Sequence, residues 1–208
     1  MSEIVFTIGH STHPVERFFE LLKKHSITVL ADVRSQPYSR ANPQFNQEAL
    51  QLSLQESGIK YVFLGMELGA RSEDESCFDN GKVQYDRLSK TALFQSGLER
   101  VKKGMQDYRI ALMCAEKDPL DCHRTILISR CLEELGVNVQ HIHSDGHVES
   151  HVEAMRRLLR QLHLQEADLI RSHDEMLVVA YRIQGRRIAY MRDQDEQEKR
   201  KTAGRKAR

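Results

Sequence analysis

The 208-residue chain has no tryptophan, only four prolines and four cysteines, and aromatic residues make up 6% of it. Four cysteines in this length do not form a disulfide scaffold, so a core must come from apolar packing. No apolar stretch approaches the ~20 residues needed to span a bilayer. The start, Met1-Ser2-Glu3-Ile4-Val5-Phe6, lacks the basic opening of a secretory signal. A cytoplasmic protein with reduced thiols and no membrane partner is therefore expected. An excess of one charge is missing too, the formal net charge being +1. Lys199, Arg200, Lys201, Arg205, Lys206 and Arg208 alone supply six positive charges, so the residues before them carry a net −5. Such a mildly acidic body excludes the broad basic surface of a dedicated nucleic-acid binder.

Alternation of short apolar runs with amphipathic stretches is what the chain does have. Ile4–Ile8, Ile27–Ala31, Ile59–Leu64, Arg109–Met113 (ending at Cys114) and Val137–Ile142 read as strands. Val15, Phe18, Phe19 and Leu22 form one helical stripe, and Phe94, Leu98 and Val101 another. Residues 72–86 show no period and read as an excursion loop. Strands joined by helices predict an α/β fold, with a mostly parallel sheet of about five strands and helices on both faces. From His151 the pattern is purely helical, with stripes Val152, Met155, Leu159, Leu162 and Met176, Val179, Ala180, Ile183. The expected organisation is an α/β domain over 1–150, a helical extension packed on it over 151–191, and a basic, disordered tail over 192–208.

In a parallel sheet all carboxyl ends point to one edge, and ligands bind in the crevice there. The residues just past the strand ends are His10-Ser11, Asp32-Val33-Arg34, the Leu68-Gly69-Ala70-Arg71 turn, Cys114-Ala115-Glu116 and His141. They are polar where the strand interiors are apolar, and this convergence predicts a site. Arg34, Arg40, Arg71 and Arg124 are candidate anion clamps, because guanidinium binds phosphate or carboxylate bidentately.

Cys114 and Cys122-His123-Arg124 stand at a strand-to-helix junction, with Asp118-Pro119 offering an N-cap and a first-turn proline for the helix that follows. A helix N-terminus favours anions and thiolates. The sulfurs allow three readings. One of them is a nucleophile, with His123 or His10 moving protons and Glu116 or Asp32 orienting the base. Alternatively Cys114, Cys122 and a histidine hold zinc, although their spacing is not that of a zinc ribbon. In the third reading both are small core residues. Cys131, with Leu127 and Leu135 on its helix face, reads as core. His141-Ile142-His143, with His147, also invites a metal reading, against which stands an ordinary histidine-rich surface.

Several of these stretches together resemble a bacterial family known as a domain of unknown function, number 488 in its series. They are Thr7-Ile8-Gly9-His10-Ser11; Asp32-Val33-Arg34-Ser35 with Pro37, Ser39-Arg40, Pro43 and Phe45; Leu68-Gly69 with Arg71; Cys114-Ala115-Glu116-Lys117-Asp118-Pro119 with Cys122-His123-Arg124; and His141-Ile142 with Asp145-Gly146 and His151. Ala180-Tyr181 and Ile188-Ala189-Tyr190 match the family's usual finish. The resemblance implies a family but no reaction, and no cofactor or metal ligand set is assigned.

The sequence thus predicts an enzyme, a cysteine-dependent hydrolase or transferase, acting on an anionic, phosphate- or nucleotide-bearing substrate. Cys114, Cys122, His123, His10, Glu116 and Asp32 are its catalytic candidates. Ser11, Arg34, Arg40, Arg71, Arg124 and His141 are its binding candidates. The alternative is a non-catalytic binder of nucleotides or nucleic acid. The oligomeric state is not predicted.

Overall fold

A computed structural model of the chain describes residues 4–167 and 171–192. The chain runs through β1 (Ile4–Gly9), α1 (Val15–Lys24), β2 (Val29–Asp32), α2 (Gln47–Glu56), β3 (Lys60–Phe63) and the single turn α3 (Gly65–Leu68). A hairpin follows, β4 (Phe78–Asp79) and β5 (Lys82–Val83), then the short α4 (Tyr85–Leu88) and the longer α5 (Ala92–Met105). Next come β6 (Ile110–Cys114), a π-helical stretch (Arg124–Ser129) that passes into α6 (Arg130–Glu134), and β7 (Asn138–Ile142). The last elements are β8 (Val148–Ser150), α7 (His151–Gln161) and α8 (His173–Ile188).

The sheet has the order β3-β2-β6-β1-β7-β8. The five expected strands are all parallel. The sixth, β8, is an antiparallel edge strand returning on β7 through a turn at Gly146, whose φ is +83°. It is missing from the sequence reading because three residues carry too little pattern to register.

Period-two alternation divides the core between the two faces. Along β6, Ala111 and Met113 pack with Phe18, Leu22, Leu50 and Leu54 of α1 and α2. Ile110, Leu112 and Cys114 face the opposite side with Phe94 and Leu98 of α5 and with Ile126, Leu158 and Met176. The cysteine ending β6 therefore looks toward the α5–α8 side. Deep burial of strand interiors at roughly 25 cal/mol per Å² supplies the main driving force.

Several local expectations change. Residues 72–86 are not structureless, since they hold the β4–β5 hairpin and the start of α4. Val152 is 51% exposed, whereas His151, Ala154, Met155, Leu158 and Leu159 form the buried stripe of α7. Ser150 and Ser172 start α7 and α8 with full capping boxes, the signal that fixes both helix starts. Asp118-Pro119 caps a separate 3₁₀ turn (Pro119–Asp121), with the Asp118 carboxylate accepting from Leu120 N–H at 2.9 Å. Cys122 is then extended, and the helix proper begins two residues later. At the other end, Arg192 still belongs to the fold: its backbone N–H donates to Gly81 and its guanidinium lies 3.7 Å from the centre of the Phe78 ring. The rest of the expected basic tail lies outside the described residues.

Candidate functional site at the carboxyl edge of the sheet

Strand order alone brings three chain ends together. In register, Gly9 pairs with Cys114 and Asp32 with Met113, so β1, β6 and β2 finish side by side. The pairing continues past the strands: His10 N–H donates to Cys114 O and Ser11 N–H to Ala115 O, both at 2.9 Å, and Val33 N–H donates to Met113 O at 3.0 Å. The 115–117 loop then crosses over the end of β1. A Cβ at Gly9 would lie 1.9 Å from Glu116 O, so only glycine admits that crossing. Arg124, wholly buried, reaches back from the helix to hold the loop, donating from Nη1 to Glu116 O at 2.9 Å and from Nη2 to Lys117 O at 3.4 Å.

Cys114, Cys122 and His123 form the centre, with their Sγ and ring-nitrogen atoms within 4.8 Å of one another. His123 Nε2 lies 3.0 Å from Val33 O. A carbonyl only accepts, so Nε2 carries the hydrogen and Nδ1 of the neutral ring carries the lone pair. That lone pair is 3.7 Å from both sulfurs. Burial opposes ionisation of Cys122, but the hydrogen bond from Cys114, the Arg124 guanidinium and His123 outweigh it and hold its pKa well below the ordinary thiol value. The Arg124 backbone N–H, 3.4 Å from Cys122 Sγ, adds to this. Cys114 moves the opposite way, raised by its hydrogen bond to Cys122 and by burial. The two thiols thus titrate as one unit, and ionisation favours Cys122. Burial lowers the His123 pKa, yet the Cys122 sulfur more than reverses this and raises it.

Beside the centre lies a second buried layer. Arg34 grips Asp32 through Nε–Oδ1 (2.9 Å) and Nη2–Oδ2 (2.6 Å) and also donates to Phe45 O at 2.8 Å. Tyr61 adds its hydroxyl to the same carboxylate at 2.8 Å, and burial followed by the Asp32 charge raises its pKa. His10 stacks on Phe45 with ring centres 4.4 Å apart. Its Nδ1 faces Ser11 O at 2.9 Å, leaving Nε2 to accept from Arg34 Nη1 at 3.3 Å. Burial, with Arg34 and Arg124 adding to it, pushes the His10 pKa down to about 4.

In front of these residues lies a cleft of about 280 Å³. Arg34, Cys114, Glu116 and His123 reach it from the strand ends and the helix start, and Arg71 comes from the turn after α3. Ser35, Gln36, Asp121, Tyr85, Ile188 and Tyr190 complete the walls. Glu116 stands on the rim with its side chain 43% exposed; desolvation by the cleft and then the Cys122 sulfur raise its carboxyl pKa. Arg71 lies over the Tyr190 ring, 4.8 Å from its centre, and its backbone N–H donates to Ser35 Oγ at 3.0 Å. The cleft opens into a groove of about 700 Å³ that shares Ser35, Gln36, Arg71 and Tyr190 with it.

Five of the twelve residues singled out from sequence therefore line the cleft: Arg34, Arg71, Cys114, Glu116 and His123. Cys122, Asp32, His10 and Arg124 stand directly behind them as partners. Ser11 does not line it, and Arg40 is an exposed residue of the loop before α2. His141 turns away into a separate buried chain: Thr7 Oγ1 to His141 Nδ1 (2.8 Å), His141 Nε2 to His151 Nδ1 (3.1 Å), His151 Nε2 to the Tyr181 hydroxyl (2.7 Å). His143 instead bonds Glu149 at 2.9 Å, so the two histidines of that segment do not gather around a common point. Tyr85 and Asp121 gave no sequence signal, because one sits in the aperiodic segment and the other in the 3₁₀ turn. Ile188 and Tyr190 had one, the Ile188-Ala189-Tyr190 stretch, without a role attached.

Fold and site together define a parallel α/β protein with a buried thiol–imidazole centre at the carboxyl edge of its sheet. A family model, Domain of unknown function DUF488, matches residues 14–131, and the chain belongs to that family. Neither a search of curated proteins nor one of solved structures produced a match.

Proposed function

We propose that the protein is an enzyme acting on an anionic, phosphate- or nucleotide-bearing substrate, as a hydrolase or transferase that depends on Cys114 and Cys122. One observation carries this reading: a single cleft is lined by Cys114, His123 and Glu116 on one side and by Arg71 on the other. Arg71 presents a planar donor fork suited to phosphate oxygens, and its stacking on Tyr190 orients it. Arg34 and Arg124 spend their guanidinium groups on Asp32 and on the 116–117 backbone, which makes them braces of the site. Glu116, on the rim with its carboxyl pKa raised first by desolvation, is placed to exchange a proton with a bound substrate. The adjoining groove gives a substrate larger than a bare phosphate room to extend.

The test is turnover of a panel of phosphate esters and nucleotides by the intact protein. Cys114→Ser is expected to abolish turnover, and Arg71→Ala to raise KM on the order of tenfold or more at an unchanged melting temperature. Turnover that survives Cys114→Ser at the wild-type rate removes the sulfur from the reaction. Retention of a nucleotide with no turnover makes the protein a binder.

A further inference from the structure

The proposed reading leaves open what the two sulfurs do, and the nucleophile role meets a difficulty. Of the two sulfurs Cys114 borders the cleft, while Cys122, which accepts the Arg124 backbone N–H, does not line it. Deeply buried paired cysteines with a shared imidazole call for another use.

We infer that Cys114 Sγ, Cys122 Sγ and His123 Nδ1 are three ligands of a thiophilic divalent metal ion, zinc foremost, whose fourth position opens into the cleft. This deepens the proposed function by naming the cofactor of the same site. Four observations converge. A tetrahedral ion with bonds of about 2.3 Å to sulfur and about 2.0–2.1 Å to nitrogen sets its sulfur and nitrogen ligands about 3.6 Å apart. The two sulfurs stand 3.7 Å from His123 Nδ1, close to that edge length. One lone pair accepts one S–H at a time, whereas one ion bound by all three ligand atoms satisfies them at once.

The tautomer is also the one needed. His123 Nε2–H is tied to Val33 O, which fixes the ring and leaves Nδ1 as the atom turned to the sulfurs, the usual outer support of a metal-bound histidine. The Arg124 backbone N–H donates to Cys122 Sγ, as thiolate ligands require. Charge balances as well, since two thiolates and a divalent ion sum to zero in a site where Cys114 and Cys122 are 3% and 1% exposed.

Two sulfurs and an imidazole select zinc or another soft first-row ion over magnesium or calcium. Three protein ligands with an open fourth position are the layout of catalytic rather than structural zinc. Both Cys114 and His123 border the cleft, so that position faces the space beneath Glu116 and across from Arg71. The sequence offered Cys114, Cys122 and a histidine as zinc ligands, against a spacing unlike that of a zinc ribbon. Seven residues separate the cysteines, and only the 3₁₀ turn at Pro119–Asp121 folds that segment back far enough to join the sulfurs.

The experiment strips the full-length protein with a chelator under reducing conditions, then reloads it with zinc or cobalt(II) and removes excess ion. Expected are one ion per chain by elemental analysis and a thiolate-to-cobalt charge-transfer band with the visible absorption of tetrahedral cobalt. Cys114→Ser, Cys122→Ser and His123→Ala should each weaken zinc binding on the order of 100-fold or more, while Cys131→Ala retains it. Should a ligand variant unfold, the wild-type protein still answers: zinc is expected to shield Cys114 and Cys122 from alkylation, and chelator to restore it. Absence of stoichiometric uptake, a cobalt spectrum without the sulfur band, or equal alkylation with and without zinc overturns the centre. Full zinc occupancy without turnover of any phosphate substrate overturns only the substrate assignment, so the two failures read differently.

Discussion

Asp32 and Arg34 lock together inside the protein, one carboxylate facing one guanidinium through paired bonds of 2.6 and 2.9 Å. The pair lies just behind the cleft and fixes the loop that carries Arg34 into it. Removing one partner strands the other charge out of water, which costs about 3–5 kcal/mol in such settings. Asp32→Ala is therefore expected to lower the unfolding free energy by about that amount in urea titrations. Adding Arg34→Met to it should recover part of the loss, since two apolar side chains leave no orphaned charge. A double variant less stable than Asp32→Ala contradicts this account.

Acid should begin to loosen the fold as the pH falls below the ordinary histidine range. His10 and His151 have native pKa values lowered from 6.5 to about 4, by burial first in each case. Below pH 6.5 the unfolded chain takes up protons that the native protein refuses, so the stability these groups contribute is complete above 6.5 and drains away toward pH 4. Each contributes a slope approaching roughly 1.4 kcal/mol per pH unit within that window. Unfolding free energies measured from pH 7.5 to 4.5 should show the decline. His151→Gln should flatten it by about one histidine's share.

Gly9→Ala places a methyl group against the Glu116 carbonyl, a backbone atom with little freedom to retreat. The 115–117 loop must shift, at a cost of about 1–3 kcal/mol. Thermal denaturation is expected to show the loss. Gly136→Ala provides no steric comparison, because its φ of +80° strains any other residue.

Gln184 ties α8 to the segment that delivers Cys122, donating from Nε2 to Leu120 O at 2.9 Å and to Asp121 Oδ1 at 3.3 Å. Gln184→Ala leaves the buried Leu120 carbonyl without that donor, at a cost of about 1–3 kcal/mol. Amide exchange around Leu120–Cys122 should speed up more than exchange in β1 or β6. Equal acceleration everywhere indicates a general loss of stability with no local tie.

The parallel strands and the side chains at their ends were legible because a buried strand between helices leaves a strong apolar signature, and topology then dictates one functional edge. That is how His10, Asp32, Arg34 and Cys114, far apart in the chain, could be grouped without coordinates. His141 escaped the rule even though it belongs to a neighbouring strand, because side chains alternate between faces and its own turns toward His151. Arg124 and Arg34 show a different limit: an arginine's sequence position does not reveal whether it will meet solvent, a carboxylate or a backbone carbonyl. The union of Cys114 with Cys122 depends on a three-residue 3₁₀ turn, too short for periodicity to register.

The cleft has walls of different origin. Cys114, Glu116 and His123 lie within the stretch shared across the family, residues 14–131, whereas Ile188 and Tyr190 arrive from the far end of α8. The mouth is therefore complete only once α8 has packed against the segment that delivers Cys122 and His123.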